Sequence, residues 1–251
     1  MKNQFQEYPY EFDGHNFSIE VVTPNNPIRG SLVFLAGGGW MDDNRRNFHV
    51  FADDLADNGI VVFLPHYRVY RLHGVYPQTC LKDTIAGLRI IPNLYKKLNL
   101  DINTMVWGGG SSGAHLMLCS ALLEKYNPGY MPQRMFFFNP VCCPDSLKLW
   151  VKQECGADFV FEDMCPLHGI QVAGPPLLIM HGTEDEIAPY SDSINFAEKY
   201  HALGGKCEVI PFLGRKHGFH HKTVSEEDYC ATLLIAKNFI LDSNNSCLEV
   251  Y

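Results

Sequence analysis

The sequence predicts an α/β fold in which a doubly wound, mostly parallel sheet carries helices on both faces. Continuous apolar runs at 31–36 and 60–64 are typical of strands that are buried on both sides. Segments with apolar residues at helical spacing lie between such runs, and turns rich in glycine and proline separate them. Because strands and helices alternate along the chain, the strands are expected to run parallel with the helices packed against the sheet.

Length and composition fit one domain over residues 1–251. Of the 251 residues, 46% are hydrophobic and 19% are charged, which is ordinary for a globular protein. A chain of this length buries about 70–75% of its unfolded surface, so it needs no disulfide or metal to fold. The net charge of −8 disfavours nucleic acid and anionic membranes as partners. No cofactor is expected.

The N terminus and the cysteines predict a cytoplasmic protein. Residues 1–7 are polar and unlike a signal peptide, and no run approaches the length of a membrane span. The nine cysteines are scattered, include no C-x-x-C pair and are expected to be reduced. We therefore expect no metal site, and the sequence is compatible with a homo-oligomer.

The first half of the chain predicts an arm, four strands and two helices. Residues 1–16 are polar and aromatic, which predicts an arm lying on the domain. Strands are predicted at 17–22, 31–36, 60–64 and 101–107. Helical spacing predicts a helix at 47–58 that Gly59 closes, and a longer one from Pro77 to about Leu98 with Pro92 as a candidate kink.

The second half continues the alternation of strands and helices. Helices are predicted at 114–123, 190–203 and 225–241, and strands at 134–138, 177–180 and 207–211. Residues 139–174 are predicted to be irregular, and they are the one segment that suggests a small cap.

A turn rich in glycine and serine at 109–113 joins a predicted strand to a predicted helix. It fits the pattern G-x-S-x-G, which places Ser111 on a strained turn. Small residues are needed two positions to either side because the backbone passes close there. The turn also sets the hydroxyl at a helix N terminus, which favours developing negative charge. The same pattern is compatible with a glycine-rich turn that binds a phosphate or nothing.

Chemically useful residues follow three other predicted strands, and in a doubly wound sheet function lies at these carboxyl ends. Gly37-Gly38-Gly39 follows the first of them and frees backbone N–H groups to face a ligand oxygen. In acyl transfer, the N–H groups of Gly38, Gly39 and Ser112 would together form an oxyanion hole. A flexible turn is the alternative.

The two later loops offer an acid and a base. Glu184, Asp185 and Glu186 compete to orient a catalytic histidine, and the residues alone leave them close. His217, His220 and His221 compete to be the general base. Metal binding by two of these histidines is disfavoured, because no cysteine or second group of ligand residues lies nearby in the sequence. The resulting order of serine, acid and histidine is the one that hydrolases with a G-x-S-x-G turn use.

Several motifs over residues 30–240 resemble the α/β-hydrolase superfamily, in particular its compact esterases and lipases, including hormone-sensitive-lipase-like enzymes and small acetyl or feruloyl esterases. Residues 37–40 resemble the HGGGW loop, Tyr67-Arg68 with Tyr76-Pro77 resembles the YR…(F/Y)P segment, and 109–116 resemble the G-x-S-A-G-G-H-L elbow. Residues 181–189 resemble HGxxDxxVP, and 214–219 resemble GxxHGF.

The resemblance implies a catalytic triad of Ser111, Asp185 and His217, and hydrolysis of short-chain carboxylic esters such as acetyl esters of sugars. Candidate pocket residues are Trp40, Trp150 and Phe219. The same triad is compatible with an arylformamidase or a peptidase, and the fold with an inactive module that binds a small molecule.

The chain departs from the family pattern in two places. Ala36 stands where HGGG has its leading histidine, which leaves the geometry of the oxyanion loop open. Ser112 and Ala114 replace alanine and glycine in the elbow; Ser112 still supplies its N–H.

Overall fold

The computed structural model describes residues 3–161 and 163–242. Their largest feature is one sheet of eight strands in the order β1-β2-β4-β3-β5-β6-β7-β8. The strands are β1 Gln4–Phe12, β2 His15–Thr23, β3 Gly30–Leu35, β4 Ile60–Pro65, β5 Met105–Gly110, β6 Arg134–Phe138, β7 Leu177–Gly182 and β8 Cys207–Phe212. Along the sheet from β4 to β8, every pair of neighbouring strands is parallel. The pairs β1–β2 and β2–β4 are antiparallel.

The helices cover both faces of this sheet. They are α1 His49–Ala56, α2 Tyr70–His73, α3 Pro77–Lys97, α4 Ser111–Leu122, α5 Lys148–Cys155, α6 Pro166–Gly169, α7 Tyr190–Ala202 and α8 Glu226–Leu241. Alternate residues of β6 enter different layers: Phe137 packs with side chains of α3, α4 and α7, and Phe136 packs with side chains of α1 and α8. The predicted doubly wound α/β fold is confirmed.

The N-terminal prediction is wrong. Residues 4–12 of the predicted arm form β1, residues 15–16 already belong to β2, and β1 pairs along its whole length with β2 in a hairpin. Most β1 side chains are exposed, so the hydrophobic alternation that reveals a strand is weak. Backbone hydrogen bonds to β2 and the stacking of Tyr10 on Phe17, with ring centroids 5.5 Å apart, hold it in place.

Two other segments differ from prediction. β5 extends through Gly108, Gly109 and Gly110, because the missing side chain at Gly108 leaves space that Phe34 and Phe136 of the neighbouring strands fill. The stretch 139–174 is partly helical: it contains a 3-10 turn at Pro144–Leu147, α5 and α6. Helix α3 runs without interruption through Pro92.

A buried ion pair fixes the loop that follows β4. Arg68 donates from Nε and Nη2 to the two carboxylate oxygens of Asp83, each at 2.8 Å. This bidentate pair holds the loop against α3, and Tyr67 next to it then points at the loop after β3. Within the described residues, no helix is both long and apolar enough to cross a bilayer.

Candidate active site

The turn between β5 and α4 holds Ser111 in a backbone conformation that is uncommon for a residue with a side chain. Its φ is +50°, in the left-handed region, directly after the extended Gly110. A side chain at Gly113 would place its Cβ 2.2 Å from the carbonyl oxygen of Leu35, so only glycine allows α4 to start this close to β3. The turn is therefore strained, and the Ser111 hydroxyl lies at the mouth of a cleft.

Ser111, His217 and Asp185 form a continuous hydrogen-bonded chain. His217 Nε2 lies 3.0 Å from Ser111 Oγ, and His217 Nδ1 lies 2.7 Å from Asp185 Oδ2. With Nδ1–H donating to the carboxylate, Nε2 is left as the acceptor for the serine proton. Three loops at the carboxyl ends of β5, β7 and β8 supply these three side chains.

Asp185 is buried and heavily hydrogen bonded. Its Oδ1 accepts the backbone N–H groups of Ile187 and Ala188, both at 2.9 Å, and its Oδ2 accepts Asn139 Nδ2 at 3.0 Å. Burial by itself raises the pKa of this carboxyl, but hydrogen bonds from His181 and His217 outweigh it, and the pKa lies well below its usual range. Asp185 is thus a carboxylate throughout the neutral range.

The competing acids and histidines take no part in this hydrogen-bonded chain. Glu186 is exposed and pairs with Lys216 at 3.0 Å, and Glu184 is also exposed. His220 is stacked on Phe138 with centroids 4.5 Å apart, and burial lowers the pKa of both His220 and His221. These two rings line the cleft beside His217 and are neutral at pH 7.

Sequence reasoning missed two residues that support the acid. Asn139, at the end of β6 with φ +43°, donates to Asp185 Oδ2. His181 in β7 brings Nε2 to 3.0 Å from Ala188 O and 3.2 Å from Asp185 Oδ2, and its Nδ1 lies 2.8 Å from Ser193 Oγ. Since both neighbours of Nε2 are acceptors, Nε2 carries the proton. The sequence signal that could have identified Asn139 and His181 is their position at the ends of predicted strands.

The glycine loop after β3 lines the cleft opposite His217. Gly38 has φ +144°, and its carbonyl accepts the N–H groups of Met41 and Asp42 at 2.9 and 3.0 Å. Within residues 3–161 and 163–242, the N–H groups of Gly38 and Gly39 have no protein acceptor. The N–H of Ser112 belongs to the first turn of α4, where no intrahelical acceptor exists. These three donors are therefore free to face an anion.

Tyr67 supports the glycine loop through a hydrogen bond to its first residues. Its hydroxyl donates to the carbonyl of Ala36 at 2.8 Å, and the side chain is 5% exposed. Burial raises the pKa of this phenol far above its ordinary value, so it remains a donor. Tyr67 thus anchors the loop at the position where the sequence carries Ala36 in place of the family histidine.

The predicted pocket residues are corrected in two of three cases. Trp40 is fully buried, edge-on to His115 with centroids 5.2 Å apart and against Phe161 at 4.8 Å. Phe219 is buried against Phe212 with centroids 4.4 Å apart. Both are core residues, because the chain direction after each glycine turns the ring inward. Trp150 of α5 does line the cleft, where it packs on Gly39.

The cleft has a volume of about 240 Å³, and both polar and apolar side chains line it. On the rim, Arg71 pairs with Asp42 at 2.6 Å and donates to the carbonyl of Glu154 in α5 at 2.9 Å. Asn44 and the imidazoles of His220 and His221 add further polar groups.

Two family models match parts of the chain. The BD-FAE model matches residues 22–136, and the prolyl oligopeptidase family model matches residues 148–237. The first match contains the glycine loop and Ser111, and the second contains Asp185 and His217.

Several curated relatives and solved structures that are similar to this chain are named as esterases. Isoprenylcysteine alpha-carbonyl methylesterase ICME of Arabidopsis thaliana is 23% identical, covering 81% of this chain and 53% of that protein. Acetylxylan esterase of Xylanibacter ruminicola is 24% identical, covering 78% and 42%. The chain thus spans about half the length of these relatives. Propionate-bound esterase 2 of Thermogutta terrifontis superposes with a TM-score of 0.80 at 26% identity, covering 96% of this chain and 94% of that chain.

The sheet order, the strained serine turn and these matches agree with one another. The chain has the α/β-hydrolase fold, and its relatives and structural neighbours support the esterase group of that superfamily.

Proposed function

We propose that this chain is a serine hydrolase that cleaves short-chain carboxylic esters through Ser111, His217 and Asp185. The observation that carries the proposal is the hydrogen-bonded chain of these residues, with 3.0 Å from Ser111 Oγ to His217 Nε2 and 2.7 Å from His217 Nδ1 to Asp185 Oδ2. The esterase relatives and esterase structures described above support the reaction class.

The reaction proceeds by two acyl transfers. Ser111 Oγ attacks the ester carbonyl while His217 Nε2 takes its proton, and the resulting imidazolium donates that proton to the departing alcohol. Water then attacks the acyl-enzyme with His217 acting as base again. Asp185 keeps the proton of the imidazole on Nδ1 and stabilises the imidazolium by its negative charge.

The tetrahedral intermediates carry a negative oxygen that the loop after β3 and the start of α4 stabilise. The N–H groups of Gly38, Gly39 and Ser112 are the donors, since the first two have no protein acceptor within the described residues. One such donor is worth roughly 10²–10³ in turnover.

The shape of the cleft favours a small acyl group on a polar alcohol. A volume of about 240 Å³ closed by Trp150 leaves little room for a long acyl chain. Arg71, Asp42 and Asn44 on the rim suit an alcohol with several hydroxyl groups, which supports acetyl esters of sugars as substrates. The acetylxylan esterase relative points in the same direction.

Peptide hydrolysis by the same triad is the second candidate. It is favoured by the match of residues 148–237 to the prolyl oligopeptidase family, which covers Asp185 and His217. Comparing acetylated sugars and p-nitrophenyl esters of increasing acyl length with chromogenic peptides separates the two, since a peptidase turns over the peptides.

The test of the nucleophile is Ser111→Ala. We expect turnover of p-nitrophenyl acetate to fall by on the order of 10⁶, because no attacking oxygen remains. We also expect a fluorophosphonate to label Ser111 in the unchanged protein and to leave the Ser111→Ala variant unlabelled. Ser120→Ala is the matched control, since Ser120 lies in the same helix and its hydroxyl donates only to Leu116 O at 2.9 Å. A folded Ser111→Ala variant that retains most of its activity would contradict the proposal.

A further inference from the structure

Three side chains with metal-binding atoms converge outside the catalytic cleft. They are Cys143, Cys165 and His168, and one ligand atom of each lies within 4.8 Å of the other two. Cys143 is buried, Cys165 is half-buried and His168 is exposed, so the cluster opens to solvent on one side. None of the three takes part in the proposed ester hydrolysis.

Two separate pieces of chain form this cluster. Cys143 directly precedes the 3-10 turn that follows β6, and Cys165 directly precedes α6, which contains His168. Two residues separate Cys165 from His168 in a C-x-x-H arrangement, a spacing that suits two ligands of one metal ion. The sequence offered no such pairing for Cys143, which lies far away along the chain.

The backbone of the cluster is held independently of any ligand. The N–H of Leu167 donates to the carbonyl of Cys142 at 3.0 Å, which joins the two pieces of chain. Lys199 of α7 donates to the carbonyls of Leu167 and His168, both at 3.0 Å, and so fixes the end of α6. These backbone contacts hold the two pieces of chain together, and the Cys165 thiol also donates to the carbonyl of Cys142 at 3.8 Å.

The donor set and its dimensions suit zinc. Two thiolates and one imidazole are among the ligands that Zn²⁺ prefers, with bonds of about 2.3 Å to sulfur and 2.0–2.1 Å to nitrogen. Tetrahedral coordination at these lengths separates ligand atoms by about 3.6–3.8 Å. Separations of up to 4.8 Å need to shrink by about 1 Å, which side-chain rotations within the cluster can supply.

A carboxylate stands beside the open side of the cluster. Asp145 lines the same surface groove as Cys165 and His168, and it pairs with Lys148 at 2.8 Å. Asp192 is nearby on α7, where it accepts the hydroxyl of Ser146 at 2.9 Å. Asp145 or a water molecule can therefore complete a fourth coordination position, and the negative charge of Asp145 offsets the positive charge of Lys148.

We propose that Cys143, Cys165 and His168 form a Zn²⁺-binding site that ties together the two ends of the segment from 143 to 168. This segment carries α5 with Trp150, which closes one side of the catalytic cleft. The ion is a structural clamp for this wall and takes no part in the reaction at Ser111.

The direct test is metal uptake by the full-length protein after reduction and removal of metal with a chelator. We expect one equivalent of Zn²⁺ to bind in calorimetry, and Co²⁺ in its place to give the visible d–d bands and thiolate charge-transfer band of a tetrahedral site. Cys143→Ser and His168→Ala should weaken binding by more than about 100-fold, since even loss of an outer-shell partner costs 10–100-fold. Circular dichroism verifies that both variants fold.

The matched control is Cys230→Ser, because Cys230 is an exposed free thiol on α8, away from the cluster. It should bind Zn²⁺ like the unchanged protein. Equal Zn²⁺ binding by Cys143→Ser and the unchanged protein would overturn the proposal. So would a reduced protein that takes up no Zn²⁺ but forms a Cys143–Cys165 disulfide on oxidation, since the cluster would then be a redox pair.

Discussion

The loops that hold the triad and the segment 139–174 that covers them are secured in different ways. Ser111, Asp185 and His217 each follow a strand in the parallel part of one sheet. In addition, Asp185 accepts hydrogen bonds from two backbone N–H groups and from Asn139. Beyond Asn139, the covering segment is held by packing and by contacts between residues distant in sequence, such as Trp150 on Gly39 and Met164 O with His115. The sheet thus holds the proposed catalytic residues, whereas the covering segment packs into the core through buried side chains such as Val151 and Met164 and supplies one wall of the cleft.

The largest effect that tests this contrast is expected at the acid. Asp185→Asn should lower kcat by about 10⁴, because an amide can hold His217 in the wrong tautomer and cannot stabilise the imidazolium. Glu186→Gln is the control, since its exposed pair with Lys216 should leave kcat within about twofold. Turnover of p-nitrophenyl acetate measures both, and a loss below tenfold for Asp185→Asn would show that the acid is elsewhere.

The next effect concerns the bond between the elbow helix and the covering segment. His115 is fully buried with Nε2 2.6 Å from Met164 O, and burial lowers its pKa to about 4. An unfolded histidine has a pKa of about 6.5, so the unfolded state binds the proton first as the pH falls. The folded state should lose on the order of 3 kcal/mol of stability between pH 6.5 and 4 from this residue alone.

Urea unfolding at pH 7 and pH 4.5 measures this loss. His115→Gln keeps an N–H donor for Met164 O but does not titrate, so its stability should fall less over the same interval. Other acidic groups and His220 contribute equally to both proteins, so the difference isolates His115. Equal losses in the two proteins would mean that His115 is charged in the folded state.

The smallest effect concerns the support of the oxyanion loop. Tyr67→Phe removes the hydroxyl that donates to Ala36 O at 2.8 Å, and we expect kcat to fall by about tenfold with KM little changed. Tyr95→Phe is the matched control, since it removes an equally buried hydroxyl that donates to Ser31 Oγ at 2.8 Å. Each should cost about 1 kcal/mol of stability. Equal kcat values for the two variants would show that Tyr67 is only structural.

Much of the fold was predictable because its signals are local. Buried parallel strands such as 60–65 leave continuous apolar runs, and Pro77 marks the start of α3. The hairpin strand β1 was missed because an exposed edge strand carries little hydrophobic alternation. The position of Ser111 on a strained turn was also predictable from the sequence, because it depends on glycines that are its neighbours along the chain.

The roles of other residues depended on the direction in which the folded chain points their side chains, and no local sequence pattern predicts this direction. Trp40 and Phe219 follow glycines in motif loops and were expected in the pocket, yet both rings turn into the core. Trp150 was expected in the pocket and lines it. Asn139 and His181 support Asp185 only because β6 and β7 are neighbours in the sheet.

The sequence by itself determined the alternation of strands and helices, the serine turn, and a short set of candidate acids and bases. These follow from periodicity, glycine spacing and the rule that strand ends share one edge of a parallel sheet. Tertiary structure alone decided which aromatic ring reaches the cleft, that Tyr67 supports the loop at Ala36, and that Cys143 meets Cys165 and His168. Such contacts join residues distant in sequence, and packing of the whole chain sets their distances.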